Sequence, residues 1–180
     1  GTAIKTCLAT AGVKATQVAA VGCAGHGNGL YLLGRDGAAL LGIQSLDSRA
    51  SDLATELGAA SGDRFHEICL QKPWPSQTAV LLAWIKRHQP ELYAKTGSVM
   101  LCKDVISYRL TGARVSDVSD MTGGGLVKMH EATYDDELLA LYGLEDARDL
   151  LPDLIAPCDV AGHVTEQAAI STGLAAGTPV

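Results

Sequence analysis

Apolar residues along this chain fall into short unbroken runs and helically spaced stripes, separated by glycine-rich joints. Val18-Ala19-Ala20-Val21 is a first run, Leu30 to Leu33 a second and Ala38 to Ile43 a third. Apolar runs of this length, bounded by turn residues, predict strands. Arg35-Asp36-Gly37 lies between the second and third, and Asp-Gly between apolar runs predicts a hairpin because it supplies positive φ. Between the first and second stands Gly22-Cys23-Ala24-Gly25-His26-Gly27-Asn28-Gly29. Its glycines clear side chains from the backbone, leaving His26 and Asn28 as the polar groups there. The predicted order is strand, bare loop, hairpin, and the loop is where a small ligand is expected. A plain connector between strands is the competing reading.

Helical stripes fill much of the remainder. Ile4, Cys7, Leu8 and Ala11 predict a helix stopped by Gly12. Asp47 is placed to cap a helix carrying Ala50, Leu53, Ala54 and Leu57, with Arg49 on the surface and a turn from Gly58 to Arg64. Lys72-Pro73-Trp74-Pro75-Ser76-Gln77 is a proline-stiffened loop. The helix after it starts near Ser76, turns Val80, Leu81, Trp84 and Ile85 inward and ends before Pro90. Trp74 fits either a core edge or a pocket wall. Helices are also predicted from Glu91 to Lys95, around Val105 to Leu110 before Gly112, from Asp135 to Tyr142, and from Glu166 to Thr172 behind a Thr165 cap. Ser98 to Cys102 is a short apolar run, and Leu126 to Met129 reads as an edge strand. Ser116 to Asp120 and Thr122 to Gly125 read as a polar, flexible stretch in which Asp117 and Asp120 form turns. Helix alternating with strand implies an α/β layer structure.

Composition narrows the function classes. With 47% hydrophobic and 19% charged residues in 180, the chain carries enough apolar side chains for an ordered core. A formal net charge of -6, with no basic run longer than Lys86-Arg87, argues against a nucleic-acid partner. No apolar stretch is long enough to span a membrane. The five cysteines are scattered, with no C-x-x-C pair, which fits reduced thiols in a cytoplasmic protein, and neither they nor the histidines have metal-ligand spacing. The glycine loop is not G-x-G-x-x-G, because that pattern puts a glycine at Leu30, and it precedes a strand where a dinucleotide site needs a helix. No Gly-Lys-Ser/Thr follows it either. Gly1 and Val180 both read as cuts within a longer chain.

Taken in order, several segments resemble the FGGY family of carbohydrate kinases nearly end to end. They are the Gly/His loop with its hairpin, Ile43-x-Ser45-x-Asp47-x-Arg49, and Lys103-Asp104-x-x-x-x-Arg109-Leu110-Thr111-Gly112. Ser116-Asp117-x-Ser119, Leu151-Pro152 and Gly173-Leu174-x-x-Gly177-Thr178-Pro179-Val180 complete the set. The loop and Ser45-Leu46-Asp47 look most similar to L-xylulose kinases. The resemblance implies an actin-like ATPase fold of two ribonuclease H-like α/β domains. This chain would be the later part of the first, sugar-binding one, with a mixed sheet, helices and a β-hairpin, truncated at both ends.

The implied reaction moves the γ-phosphate of Mg-ATP to a hydroxyl of a ketose (a pentulose such as xylulose) or a polyol, with an aspartate as base. That base is expected beyond Val180, a phosphate-gripping hairpin before Gly1 and the ATP domain elsewhere, so this piece alone is expected to be inactive. Carried over by position, His26 stands where many members have Gln, Asn28 where others have a sugar-contacting residue, and Gly27 gives the ligand room. Ser45 replaces a pocket-wall Trp of glycerol and D-xylulose kinases, which implies a larger, more polar site. Asp47 and Arg49 support the pocket floor, and Trp74 and Gln77 fall on a second wall. Lys103-Asp104 and Asp117-Asp120 look structural. The expected partners are a small sugar or polyol and ATP, and a homodimer stays open. A non-enzymatic binding or assembly module on the same scaffold is the alternative. A nucleotide-dependent oxidoreductase would return only if the glycine loop opened a helix.

Overall fold

The hairpin forms as the sequence predicts. In the computed structural model, which describes residues 1–180, α1 (Thr2–Ala11) precedes a loop that leads into β1 (Leu30–Gly34) and β2 (Ala39–Ile43). The two strands pair antiparallel with Leu30 opposite Ile43. Gly37 takes φ +76°, and the Asp36 carboxylate accepts the Ala38 N–H at 3.0 Å, closing the turn.

Helices α2 (Ser51–Ser61), α3 (Arg64–Cys69), α4 (Thr78–His88) and α5 (Pro90–Lys95) follow, then β3 (Thr96–Met100) and α6 (Cys102–Thr111). After them come β4 (Val115–Asp117), α7 (Val118–Gly123), β5 (Val127–Lys128), β6 (Thr133–Tyr134), α8 (Asp136–Leu141), β7 (Asp153–Ile155) and α9 (Glu166–Thr172). β3 adds antiparallel to the free edge of β1, giving the order β2-β1-β3. β4 and β7 pair in parallel and β5 and β6 antiparallel, so both pairing senses occur, in separate small sheets.

One core gathers Leu30 and Leu32 of β1, Phe65 and Ile68 of α3, Val80, Leu81, Leu82 and Ile85 of α4, and Leu138 and Leu139 of α8. α4 is the central helix because apolar residues cover most of its circumference, which suits a helix surrounded by protein. A smaller cluster joins Leu110 of α6 and Ala168 of α9 to Ile4 and Leu8 of α1 and to Val18 and Val21. Gly12, Gly112 and Gly173 close α1, α6 and α9 in the left-handed conformation, where the sequence places their ends.

Five local expectations are corrected. Val18–Val21 is not a strand: its link to a neighbouring segment is one rung, from the Val21 N–H to the Pro179 carbonyl at 2.9 Å, and a strand needs a ladder. Asp47 does not cap α2, whose cap position is Ala50; its carboxylate turns onto Arg49. The stretch from Gly58 to Arg64 is no simple turn, since α2 runs to Ser61 and α3 starts at Arg64. Trp84 is half-buried rather than core, lying beneath the Arg49 guanidinium. The stretch read as flexible after Ser116 holds β4 and α7, because the Asp117 carboxylate caps α7 by accepting the Asp120 N–H at 3.0 Å.

Gly29 is the tightest joint in the hairpin's approach. Its φ is +77°, and a Cβ there would lie 2.5 Å from the Ile43 carbonyl oxygen. Gly12 has a similar φ of +64° but open space around it. Alanine at Gly12 is expected to cost about 1–2 kcal/mol of backbone strain. Gly29→Ala adds a backbone clash and is expected to cost at least twice as much, read from the midpoints of urea unfolding. Equal midpoints would contradict this account of the joint.

Candidate functional site

The glycine loop is tied into the fold through Gly29. The Gly29 N–H donates to the Ser76 carbonyl at 3.1 Å, and the Thr78 hydroxyl donates to the Gly29 carbonyl at 2.9 Å. The Ser76 hydroxyl also donates to the Asp47 carbonyl at 2.7 Å, and the Ser45 N–H lies beside Gly29, 3.2 Å from where a Cβ would stand. Backbone and hydroxyl bonds thus bring three segments together: the loop of His26, Gly27 and Asn28, the Ser45–Arg49 turn, and the Trp74–Gln77 loop.

Within that frame the side chains differ in how committed they are. The His26 Nε2 is 2.8 Å from the Tyr31 hydroxyl, and its Nδ1 is 3.3 Å from the Gly27 carbonyl, so both ring nitrogens face protein groups. Tyr31 alternates with the buried Leu30 and Leu32 along β1, which puts it on the loop side of the strand. Burial pushes its hydroxyl pKa up, and the neighbouring Cys102 adds to the effect. Asn28 adopts φ +59°, and its Oδ1 is buried with no hydrogen-bond partner. An unpaired buried acceptor costs about 1–3 kcal/mol.

Asp47 and Arg49 spend their charges on each other. The Arg49 Nε and Nη2 donate to the two carboxylate oxygens at 2.8 and 2.9 Å, and the Arg49 N–H donates to Oδ1 at 2.9 Å. The Arg49 side chain holds the Asp47 carboxyl below its ordinary pKa and is itself held above its own. Its guanidinium lies 5.5 Å from the Trp84 ring centre. Gln77 is fully buried: its amide donates to the Gln71 side chain at 3.1 Å and accepts from the Tyr142 hydroxyl at 3.1 Å. Trp74 is 37% exposed, so it is not part of the core.

Beside the loop lies an ion cluster that sequence reading passed over as structural. The Lys103 Nζ is 2.8 Å from Asp117 and 3.4 Å from Asp120, and it also donates to the buried Asp104. Burial pulls the Lys103 pKa down, but Asp104 and Asp117 outweigh it and hold the ammonium above its ordinary value. Burial likewise pushes Asp117 up, yet Lys103, the Ser119 hydroxyl and the Asp120 N–H together bring it down to about 2. Asp120 goes the other way: burial raises its pKa and Lys103 offsets only part of that.

α7 carries the cluster onto the loop, with the Asp120 Oδ1 3.2 Å from where a Gly27 Cβ would stand and the Asn28 Nδ2 3.3 Å from the corresponding point on Gly123. The Asp117-x-x-Asp120 spacing, that of a helix N-cap, was the available signal for α7. A cavity of about 400 Å³ is lined by Lys103 together with Cys23, Asp104, Ser116, Asp117 and Cys158 among others, and by neither His26 nor Asn28.

Because its pKa is depressed on folding, Asp117 contributes stability fully above its ordinary 3.8, and that contribution is lost as pH falls through about 2. Asp117→Asn is therefore expected to lower the urea midpoint at pH 7, with the gap to the unmodified chain closing between those two values. Because Asn can still cap α7, a gap independent of pH would show that the Asp117 charge is not what stabilises the segment.

The model of the FGGY family of carbohydrate kinases, N-terminal domain, matches residues 1–180. The chain is 31% identical over 179 residues to the L-xylulose/3-keto-L-gulonate kinase of Escherichia coli (strain K12), covering 98% of this chain and 36% of that one. It is 32% identical over 170 residues to a probable L-xylulose kinase of Pasteurella multocida (strain Pm70), covering 93% and 35%. The crystal structure of a xylulose kinase from Rhodospirillum rubrum superposes with a TM-score of 0.78 at 31% identity, over 84% of this chain and 31% of that one. The chain thus spans about a third of the length of these relatives. With a mixed α/β structure that superposes on sugar kinases of the actin-like ATPase fold, and a family match along its whole length, the chain belongs to the FGGY family of carbohydrate kinases.

Proposed function

We propose that this chain forms the sugar-binding part of an ATP-dependent carbohydrate kinase whose acceptor is a ketose, with a pentulose such as xylulose favoured over glycerol. The observation that carries the reading is the buried, unpartnered Asn28 Oδ1 in a loop cleared of side chains on either side. A sugar hydroxyl is the donor it lacks. Hydroxyl-rich ligands suit such a loop, because each hydroxyl both donates and accepts. Ser45 is small and polar where a bulky aromatic wall would exclude a longer ligand. The names of the relatives, L-xylulose and xylulose kinases among them, support the same substrate class.

In this reading the residues divide by role. Asn28 and Gly27 meet the ligand, while His26 holds the loop through Tyr31. The Asp47–Arg49 pair stiffens the floor, Trp74 is available as a wall, and Gln77 supports the wall from beneath through its bonds to Gln71 and Tyr142. The residues present do not fit ATP or Mg2+. The glycine loop enters β1 rather than a helix, and Lys103, the cation beside it, is already matched by Asp104, Asp117 and Asp120. A helix-opening glycine loop, the condition for an oxidoreductase reading, is likewise not what β1 provides. ATP, Mg2+ and the base that activates the hydroxyl belong, in this proposal, to the rest of the kinase.

The test is the full-length protein assayed with Mg-ATP against L-xylulose, D-xylulose, L-ribulose, erythritol, glycerol and gluconate. Turnover is expected with a ketose, and Asn28→Ala is expected to lower kcat/KM by about 10- to 100-fold, the effect of one buried hydrogen bond. A folded protein that binds Mg-ATP and phosphorylates none of these would overturn the ketose reading in favour of a binding module.

A further inference from the structure

We infer that Asp120 is a specificity-determining residue of the same site, accepting a hydrogen bond from a second hydroxyl of the ligand next to the one that meets Asn28. The inference rests on the sugar-binding reading above and assigns a residue that neither the loop nor its neighbouring turns supply.

Two independent observations point to it. First, the Asp120 carboxylate is oriented with one oxygen toward each neighbour. Oδ2 faces Lys103 at 3.4 Å, while Oδ1 lies 3.2 Å from the Cβ position of Gly27 and meets no donor of the chain. Asp104 and Asp117 are both nearer the ammonium, so Lys103 does not depend on Asp120 for its charge balance. Second, Asn28 presents a buried acceptor without a donor, and it packs against Gly123, one turn along α7 from Asp120. Asp120 and Gly123 lie on one face of that helix, and Gly27 and Asn28 are consecutive in the loop. The two unfilled acceptors therefore lie along one seam between loop and helix.

Two acceptors side by side select a ligand with two donors. Adjacent hydroxyls of a ketose or polyol provide them, whereas a carboxylate or phosphate at the same place would meet the Asp120 charge and be repelled. The absence of a side chain at Gly27 is part of the device, since it lets a hydroxyl reach Oδ1. Asp120 is held in place from below, with its N–H on the Asp117 carboxylate and its Oδ2 near Lys103. It is thus pre-oriented, which keeps the ordering cost of binding low.

The experiment uses the full-length protein, with Asp120→Asn and Asp120→Ala measured for sugar binding by calorimetry and for turnover with the accepted ketose and its monodeoxy analogues. Asp120→Ala is expected to raise Kd and KM by about 10- to 100-fold, as for a hydrogen bond to a charged group, with Asp120→Asn intermediate. One deoxy analogue should bind the unmodified protein and both variants equally, because the hydroxyl that Asp120 reads is the one it lacks. That equality is a readout a merely structural role would not produce. If the protein turns over a ketose but the variants lose the parent sugar and every analogue by the same factor, or lose none, Asp120 is structural and only this inference fails. If the full-length protein binds ketoses through Asp120 but phosphorylates none, the kinase reading fails and this one stands. Binding of no sugar at all overturns both.

Discussion

Everything around the candidate site depends on one backbone position that tolerates no side chain. Gly29 sits at φ +77° with the Ile43 carbonyl where its Cβ would be. Its N–H and C=O are both taken by the Ser76–Thr78 segment. That single residue joins the start of β1 to the end of β2 and to the loop before α4, and so sets how three stretches distant in sequence approach one another. Because both of its polar groups are satisfied by the start of the most deeply buried helix, the loop before it is anchored at its C-terminal end. Asn28, one residue earlier, is driven into the left-handed region as the chain arrives at that anchor. The left-handed backbone of Asn28 and its unpartnered amide oxygen thus both fall one residue before that anchor.

The second organising interaction is electrostatic. Lys103, at the first turn of α6, gathers Asp104 from its own helix and Asp117 and Asp120 from the β4–α7 segment. Removing one member of such a partly buried group leaves the others uncompensated, so the cluster ties the two segments together even where its net contribution to stability is small. Its charges do not sum to zero: three carboxylates face one ammonium. Asp120, with its pKa raised by burial, is where the excess is least comfortable.

Much of this architecture can be read from residues in order. Asp36-Gly37 specifies its hairpin, and Gly12, Gly112 and Gly173 end their helices, because these depend on φ preferences and on contacts within a few positions. Thr165 and the apolar sweep of α4 belong to the same class. The errors fall where two rules compete for the same residue or where pairing depends on a distant segment. Asp47 has the right chemistry for a cap, but Arg49 lies within reach and takes both its oxygens. Val18–Val21 has strand composition, yet pairing is decided by what lies alongside, and one rung to Pro179 is what it finds. The run after Ser116 looks flexible from its serines and glycines, although Asp117 is spaced to cap a helix over Asp120.

By itself, then, the sequence determined the family, the class of fold and the loop in which chemistry was expected, since glycine content, helix caps and motif order are properties of the chain taken linearly. Which side chains in that loop are free for a ligand was decided by the tertiary structure alone. His26 and Asn28 look equivalent in sequence, two polar residues among glycines. Tyr31, five residues on in β1, occupies the one, while nothing within the fold reaches the Oδ1 of the other. Asp120 comes to lie beside Gly27 across more than ninety residues of chain because Gly29 pins the loop and Lys103 pins α7. Hydrogen-bond satisfaction is a sum over neighbours in space, and no ordering of residue types contains it.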